Sequence, residues 1–136
     1  MSFKNKVVII TGGGQGIGLA ICERFLKQKA SVVIAEVDSK SGSLVEKNIS
    51  AKGKVKFIET DIAKEKSVKS LVEQTIKIFG RIDYLVNNAA VSCNKSITDI
   101  SFTEWKKVID VNLSGAFLCS KYCAEYLKKS QGAIIN

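Results

Sequence analysis

Two rhythms of apolar and polar positions alternate along this chain. Runs rich in Val, Ile, Leu and Phe stand at residues 7–10, 32–35, 54–59 and 82–86, and a fifth begins at 132–136. Runs of that length, bounded by turn residues, predict strands of a parallel sheet covered on both faces. Between them the apolar positions fall at helical spacing. A helix is expected at 17–29, a second around Leu44, Val45 and Ile49 that closes at Gly53, and a third at 65–79. In the third, Val68, Leu71, Val72, Thr75, Ile76 and Phe79 trace one face, and Gly80 stands where a C-terminal cap belongs. Ser101-Phe102-Thr103-Glu104 has the form of a capping box: the serine oxygen takes an amide proton three residues on while the glutamate reaches back. It is expected to open one long helix to about residue 129, with Trp105, Val108, Ile109, Asn112, Ala116, Cys119, Cys123 and Tyr126 on or near one side. This alternation predicts one α/β domain over residues 1–136, a doubly wound parallel sheet of order 3-2-1-4-5.

The join between the first strand and first helix carries the densest chemistry, Thr11-Gly12-Gly13-Gly14-Gln15-Gly16-Ile17-Gly18. Glycine takes positive φ freely and lets backbone approach a ligand closely, and the first turn of a helix favours phosphate through its free N–H groups and dipole. The segment is a candidate seat for a dinucleotide pyrophosphate; a glycine-rich surface turn is the plain alternative. Strict G-x-G-x-x-G is absent, and no Lys-Ser or Lys-Thr closes the segment as a P-loop requires. The second strand ends in Glu36, 20 residues (36 minus 16) beyond Gly16. A carboxylate about there can accept from both ribose hydroxyls of an adenosine and would repel a 2′-phosphate. Equally, it could be an acidic residue that merely ends a strand.

Composition narrows the classes. A chain of 136 residues, 46% apolar, suits one soluble globular domain burying about two-thirds of its unfolded surface. No apolar run approaches the roughly 18 residues of a membrane span. After Met1 to Lys6 only four apolar residues precede the glycine turn, too few for a signal-peptide core, so a cytoplasmic protein with no membrane partner is expected. The four cysteines form no C-x-x-C pair and histidine is absent, which argues against a metal site; Cys119 and Cys123 read as small apolar packing residues. The net charge of +8 is almost wholly lysine, Arg24 and Arg81 being the only arginines, and reads as scattered over solvent faces of helices. Nucleic acid is therefore not an expected partner; the charge serves solubility and could draw anionic ligands inward.

Thr11-Gly12-x-x-x-Gly16-x-Gly18, with Asn87-Asn88-Ala89-Ala90 at the end of the fourth strand, resembles the short-chain dehydrogenase/reductase family. The resemblance implies a Rossmann-like fold that binds a nicotinamide dinucleotide through Gly12, Gln15, Gly16, Ile17 and Gly18. Gln15 stands where the family's NADP users often carry a basic residue, so with Glu36 it points to NAD rather than NADP. Asp61 and Ile62 would flank the adenine, the carboxylate accepting from the exocyclic amine; read alone, Asp61 could cap the following helix. Asn88, Ala89 and Ala90 would border the riboses, with alanine where the family has glycine, although adjacent asparagines also make ordinary turns. Asn112, in Val111-Asn112-Leu113, matches the family's catalytic asparagine, which holds a water in a proton relay. It falls among apolar positions, where an amide needs partners.

The family also carries a serine just past the fifth strand and a Tyr-x-x-x-Lys on the next helix. No tyrosine here supplies that pattern: four places after Tyr84 is Asn88, after Tyr122 is Tyr126, and after Tyr126 is Ser130. The fold is thus expected to be truncated after the start of the fifth strand, the cofactor half of an NAD(H)-dependent oxidoreductase acting on an alcohol/ketone pair. Such a chain should not turn over alone. It could be a fragment of a longer enzyme or a natural truncation; a non-catalytic dinucleotide-binding or interaction module is the alternative function. A bare strand edge at 133–136 and an uncovered face of the 101–129 helix would favour a homo-oligomer.

Overall fold

A computed structural model describes residues 2–136; Met1, the first residue of the amino-terminal stretch considered above, lies outside them. Five strands form one sheet in the order β3-β2-β1-β4-β5. They are β1 Val7–Thr11, β2 Ser31–Glu36, β3 Val55–Glu59, β4 Tyr84–Val86 and β5 Ala133–Ile135. Every pairing is parallel, and the central β1 lies beside β2 from Val7–Ser31 to Thr11–Ala35. The carboxyl ends of β1, β2 and β4 therefore open at one level. All five β1 residues are buried because the strand is covered twice. Val8 and Ile10 pack with Cys22 and Leu26 of α1 (Gly16–Lys27) and Val45 of α2 (Ser39–Ile49). Val7 and Ile9 pack with Leu71 of α3 (Glu65–Phe79) and with Cys119 and Cys123 of α5 (Ala116–Ser130). Each fully buried Val or Ile there contributes roughly 1.5–3 kcal/mol. Burial pushes the Cys22, Cys119 and Cys123 thiols up to about 12, so they behave as small apolar groups.

The element ends show where local rules prevailed. α3 and its left-handed Gly80 cap (φ 75°) fall where the apolar spacing put them. The capping box at Ser101 is formed on both sides and opens α4 (Phe102–Ile109). Helix α1 stops at Lys27, two residues earlier than the pattern implied, because Lys29 turns left-handed (φ 68°) to feed β2. Asp38 caps α2 by accepting from the Lys40 and Ser41 amides. Strand β4 starts at Tyr84 rather than residue 82. Asp83 is only 1% exposed, and its carboxylate accepts from the Val7 amide, the Lys6 ammonium and the Arg81 guanidinium.

The long helix is not continuous. A π-helical segment, Asp110–Gly115, separates α4 from α5. Gly115 is buried against Ile62, and a Cβ there would come within 2.7 Å of the Ile62 Cδ1. No residue of α4 is buried. Trp105, on the apolar side of that pattern, is 46% exposed and stacks on Phe102 with centroids 5.8 Å apart.

Part of the positive charge gathers at one end of the sheet. Lys4, Lys6, Lys29, Lys54 and Arg81 lie just before strands, and Lys27, Lys47, Lys77, Lys128 and Lys129 stand in the last turns of helices that return the chain to that level. A parallel sheet puts all of these at its amino end, where helix C-termini favour cations. The glycine turn opens at the other end.

Candidate functional site

Four joins between strand and following segment meet at the carboxyl end of the sheet, around a cleft of about 620 Å³. The join after β1 is the glycine turn. Gly12 and Gly16 adopt φ of 66° and 54°, which L side chains rarely take. Gly18 packs so closely that a Cβ would lie 2.1 Å from the Gly12 carbonyl oxygen, whereas one at Gly16 would meet nothing within 4 Å. Helix α1 thus begins against the turn with open space at its first residue. No side chain caps that end, unlike the side-chain-capped α2 and α4, and no acidic residue lies in its first turn.

The join after β2 supplies Glu36. One carboxylate oxygen accepts from the Gly14 amide at 3.1 Å, the other from the Val37 and Asp38 amides at 2.9 and 3.2 Å. Glu36 is therefore fixed by backbone and stands beside the glycine turn. Past β3, Asp61 and Ile62 line the cleft. Asp61 accepts from the Ala63 amide at 3.1 Å and pairs with Lys64 at 3.1 Å. It does not cap α3, whose N-cap position is Lys64 and which has no side-chain cap.

The join after β4 is Asn87 to Ala90. The Asn88 side-chain amide donates to the Thr11 and Gly12 carbonyls at 2.9 and 3.2 Å. Thr11 Oγ1 accepts from the Asn88 and Ala89 amides at 3.0 Å each and donates to the Val86 carbonyl at 3.3 Å. Asn88 thus locks two joins together, with its backbone, Ala89 and Ala90 along the cleft.

Gly12, Gln15, Gly16, Ile17, Gly18, Glu36, Asp61, Ile62, Asn88, Ala89 and Ala90 all line this one cleft. Asn112 does not. It is exposed rather than sunk among apolar groups, and its amide clasps the Val91 backbone, accepting from the amide and donating to the carbonyl at 2.9 Å each. Because Val91 lines the cleft, Asn112 braces a wall. Val91 and Lys107, which the pattern passed over, complete that wall with Val111, and Thr11, quoted only as part of the glycine motif, ties the floor from beneath.

A glycine turn with open space at Gly16, an uncapped helix start and a carboxylate fixed beside them are compatible with a dinucleotide's diphosphate and ribose. The model of a family described as short chain dehydrogenase matches residues 6–136. The chain belongs to the short-chain dehydrogenase family. It is 48% identical over 135 residues to an uncharacterized oxidoreductase of Thermotoga maritima, covering 98% of this chain and 53% of that protein. It is 35% identical to the meso-2,3-butanediol dehydrogenase of Serratia marcescens, covering 100% of this chain and 54% of the relative. It is 36% identical to a 2,5-dichloro-2,5-cyclohexadiene-1,4-diol dehydrogenase of Sphingobium indicum, covering 96% and 53%. The chain therefore spans about half the length of the curated relatives it matches. Among the described residues no helix is long and apolar enough to cross a membrane.

Proposed function

We propose that this short-chain dehydrogenase chain is the NAD(H)-binding part of an oxidoreductase that interconverts an alcohol and a ketone. The observation that carries the reading is the Glu36 carboxylate, held by three backbone amides beside the Gly12–Gly18 turn. The turn and the start of α1 would hold the diphosphate through backbone N–H groups. Glu36 would accept from the adenosine ribose hydroxyls and repel a 2′-phosphate. Asp61 and Ile62 would flank the adenine, while Asn88, Ala89 and Ala90 would border the riboses. When bound, the nicotinamide supplies or accepts the hydride. Asn112, through its clasp on Val91, would orient the wall beside the reacting carbon. Two relatives are named for diols, which supports a secondary alcohol as substrate class.

Cytoplasmic work and self-association belong to the same reading. Four free thiols, three of them buried, suit a reducing compartment. Leu113 and Phe117 on the helix side and Ile134 and Ile135 on β5 present apolar surface that a second copy would cover.

The test is a titration of the chain with NADH and NADPH, followed by intrinsic fluorescence and melting temperature, repeated on Glu36→Ala. NADH should bind with preference over NADPH, and the variant should lose most of that preference. Equal affinity for both cofactors before and after the substitution refutes the role given to Glu36. Silence toward both refutes the dinucleotide reading.

A further inference from the structure

The cleft faces an electrostatic mismatch. On the dinucleotide reading proposed above, it receives a doubly charged diphosphate, yet two of its lining residues, Glu36 and Asp61, carry carboxylates. The lysines at strand starts and helix ends lie at the far end of the sheet and are screened over that distance, the Debye length being about 8–10 Å near physiological salt. Among the described residues, one cation lines the cleft, Lys107.

Lys107 is also left without a carboxylate. Glu104, three residues before it on α4, is taken by Lys95 at 2.6 Å and by the Ser101 hydroxyl at 2.8 Å. These partners hold its carboxyl at about 2, so it stays charged and committed to them. Asp110, three residues after, is taken by Lys106 at 2.5 Å. The cleft carboxylates are engaged too, Glu36 by backbone amides and Asp61 by Ala63 and Lys64. Lys107 is exposed on the wall that Val111 continues one turn later. Every nearby acid has another partner, and the ammonium is free to answer a ligand's charge.

We propose that Lys107 is a positioning residue for the dinucleotide: its ammonium supplies the compensating positive charge of the cleft and makes cofactor affinity depend on ionic strength. A concave site bounded by low-dielectric walls focuses such a charge on its ligand, so one lysine there outweighs many at the opposite end. The assignment rests on the dinucleotide reading, and the experiment separates the two.

NADH is titrated at about 0.05 M and about 0.3 M salt, between which the Debye length falls from about 14 Å to about 6 Å. The chains compared are the unsubstituted protein, Lys107→Gln, Lys107→Arg and, as a control from the far end, Lys54→Gln. Lys107→Gln should weaken binding about five-fold at low salt, the upper range for one solvent-accessible charge pair. Its deficit should largely vanish at high salt. Lys107→Arg should retain both affinity and salt dependence, Lys54→Gln should change neither, and all melting temperatures should agree. Binding by Lys107→Gln equal to the unsubstituted chain at both salts overturns the role of Lys107 while leaving the dinucleotide reading standing. Failure of the unsubstituted chain to bind NADH removes both.

Discussion

Thr11→Val isolates the hydroxyl that ties the floor of the cleft together. Valine keeps the size and branching of threonine, so packing at the end of β1 is preserved and only polar contacts are lost. The hydroxyl holds the Asn88 and Ala89 amides at 3.0 Å and reaches the Val86 carbonyl at 3.3 Å. A buried donor left without a partner costs roughly 1–3 kcal/mol. Asn88 is half-buried and Thr11 fully buried, so the lower part of that range applies to each amide. The long bond to Val86 adds little, and the new methyl recovers part of a kcal/mol. The expected loss is about 2 kcal/mol.

Urea denaturation measures this directly, provided the m-value is unchanged so that the midpoint shift reports stability. Thr11→Ser keeps the hydroxyl and deletes one methyl, which should cost about 1 kcal/mol as a small cavity. The two variants should also part in binding. Thr11→Val frees the Asn88 join and should weaken NADH, whereas Thr11→Ser should bind like the unsubstituted chain. The reasoning fails if Thr11→Val costs less than about 0.5 kcal/mol, or if both variants bind NADH equally.

Gly18→Ala should be more damaging than a helix-propensity argument allows, since the new methyl would stand 2.1 Å from the Gly12 carbonyl oxygen and 2.7 Å from the Asn88 amide nitrogen. Overpacking against backbone costs about 1–3 kcal/mol or more, and thermal melts should show that loss together with weakened NADH binding. Burial pushes the Asp83 carboxyl up, but Arg81, the Val7 amide and Lys6 outweigh it and hold the group below its ordinary range. A depressed carboxylate contributes stability that is full above its unfolded value near 4 and is lost as pH falls through the folded one. Asp83→Asn should therefore lose about 2 kcal/mol at neutral pH and flatten the acid limb below about pH 4 in urea melts taken across pH; an unchanged acid limb refutes it.

How much was readable from sequence follows from the range of the forces involved. Helix α3 and its Gly80 cap were readable because apolar spacing and a left-handed glycine are local signals. The capping box was readable for the same reason. The residues of the glycine turn were readable because positive φ and close approach admit almost nothing but glycine. The break between α4 and α5 was not: it depends on Gly115 meeting Ile62 and on Asn112 reaching Val91, contacts made across the fold. Asp83 looked like a strand residue because its partners, Lys6 and the Val7 amide, belong to another strand's entry. The lysines looked scattered along the chain, and only the parallel topology shows that strand starts and helix ends share one level. Lys107 was hidden likewise by its place across the cleft, and Thr11, though part of the motif, gave no sign of its three bonds to the β4 join.

The Glu36 carboxylate and the glycine turn form one unit. Glu36 accepts from the Gly14 amide, Ser41 Oγ donates to the Gly14 carbonyl at 3.4 Å, and a Cβ on Gly14 would lie 2.8 Å from the Glu36 carboxylate. A side chain that ceases to accept from Gly14 frees the peptide just before the start of α1, where on the proposed function backbone amides would converge on a diphosphate. Exchanging Glu36 for a residue that admits a 2′-phosphate thus removes a repulsion and loosens the turn at the same time. Relaxed cofactor discrimination should come with weaker binding of both dinucleotides, beyond what the lost ribose contact accounts for. Glutamine, which still offers one oxygen to the Gly14 amide, should separate the two effects: it removes the charge while leaving the turn closer to its native order.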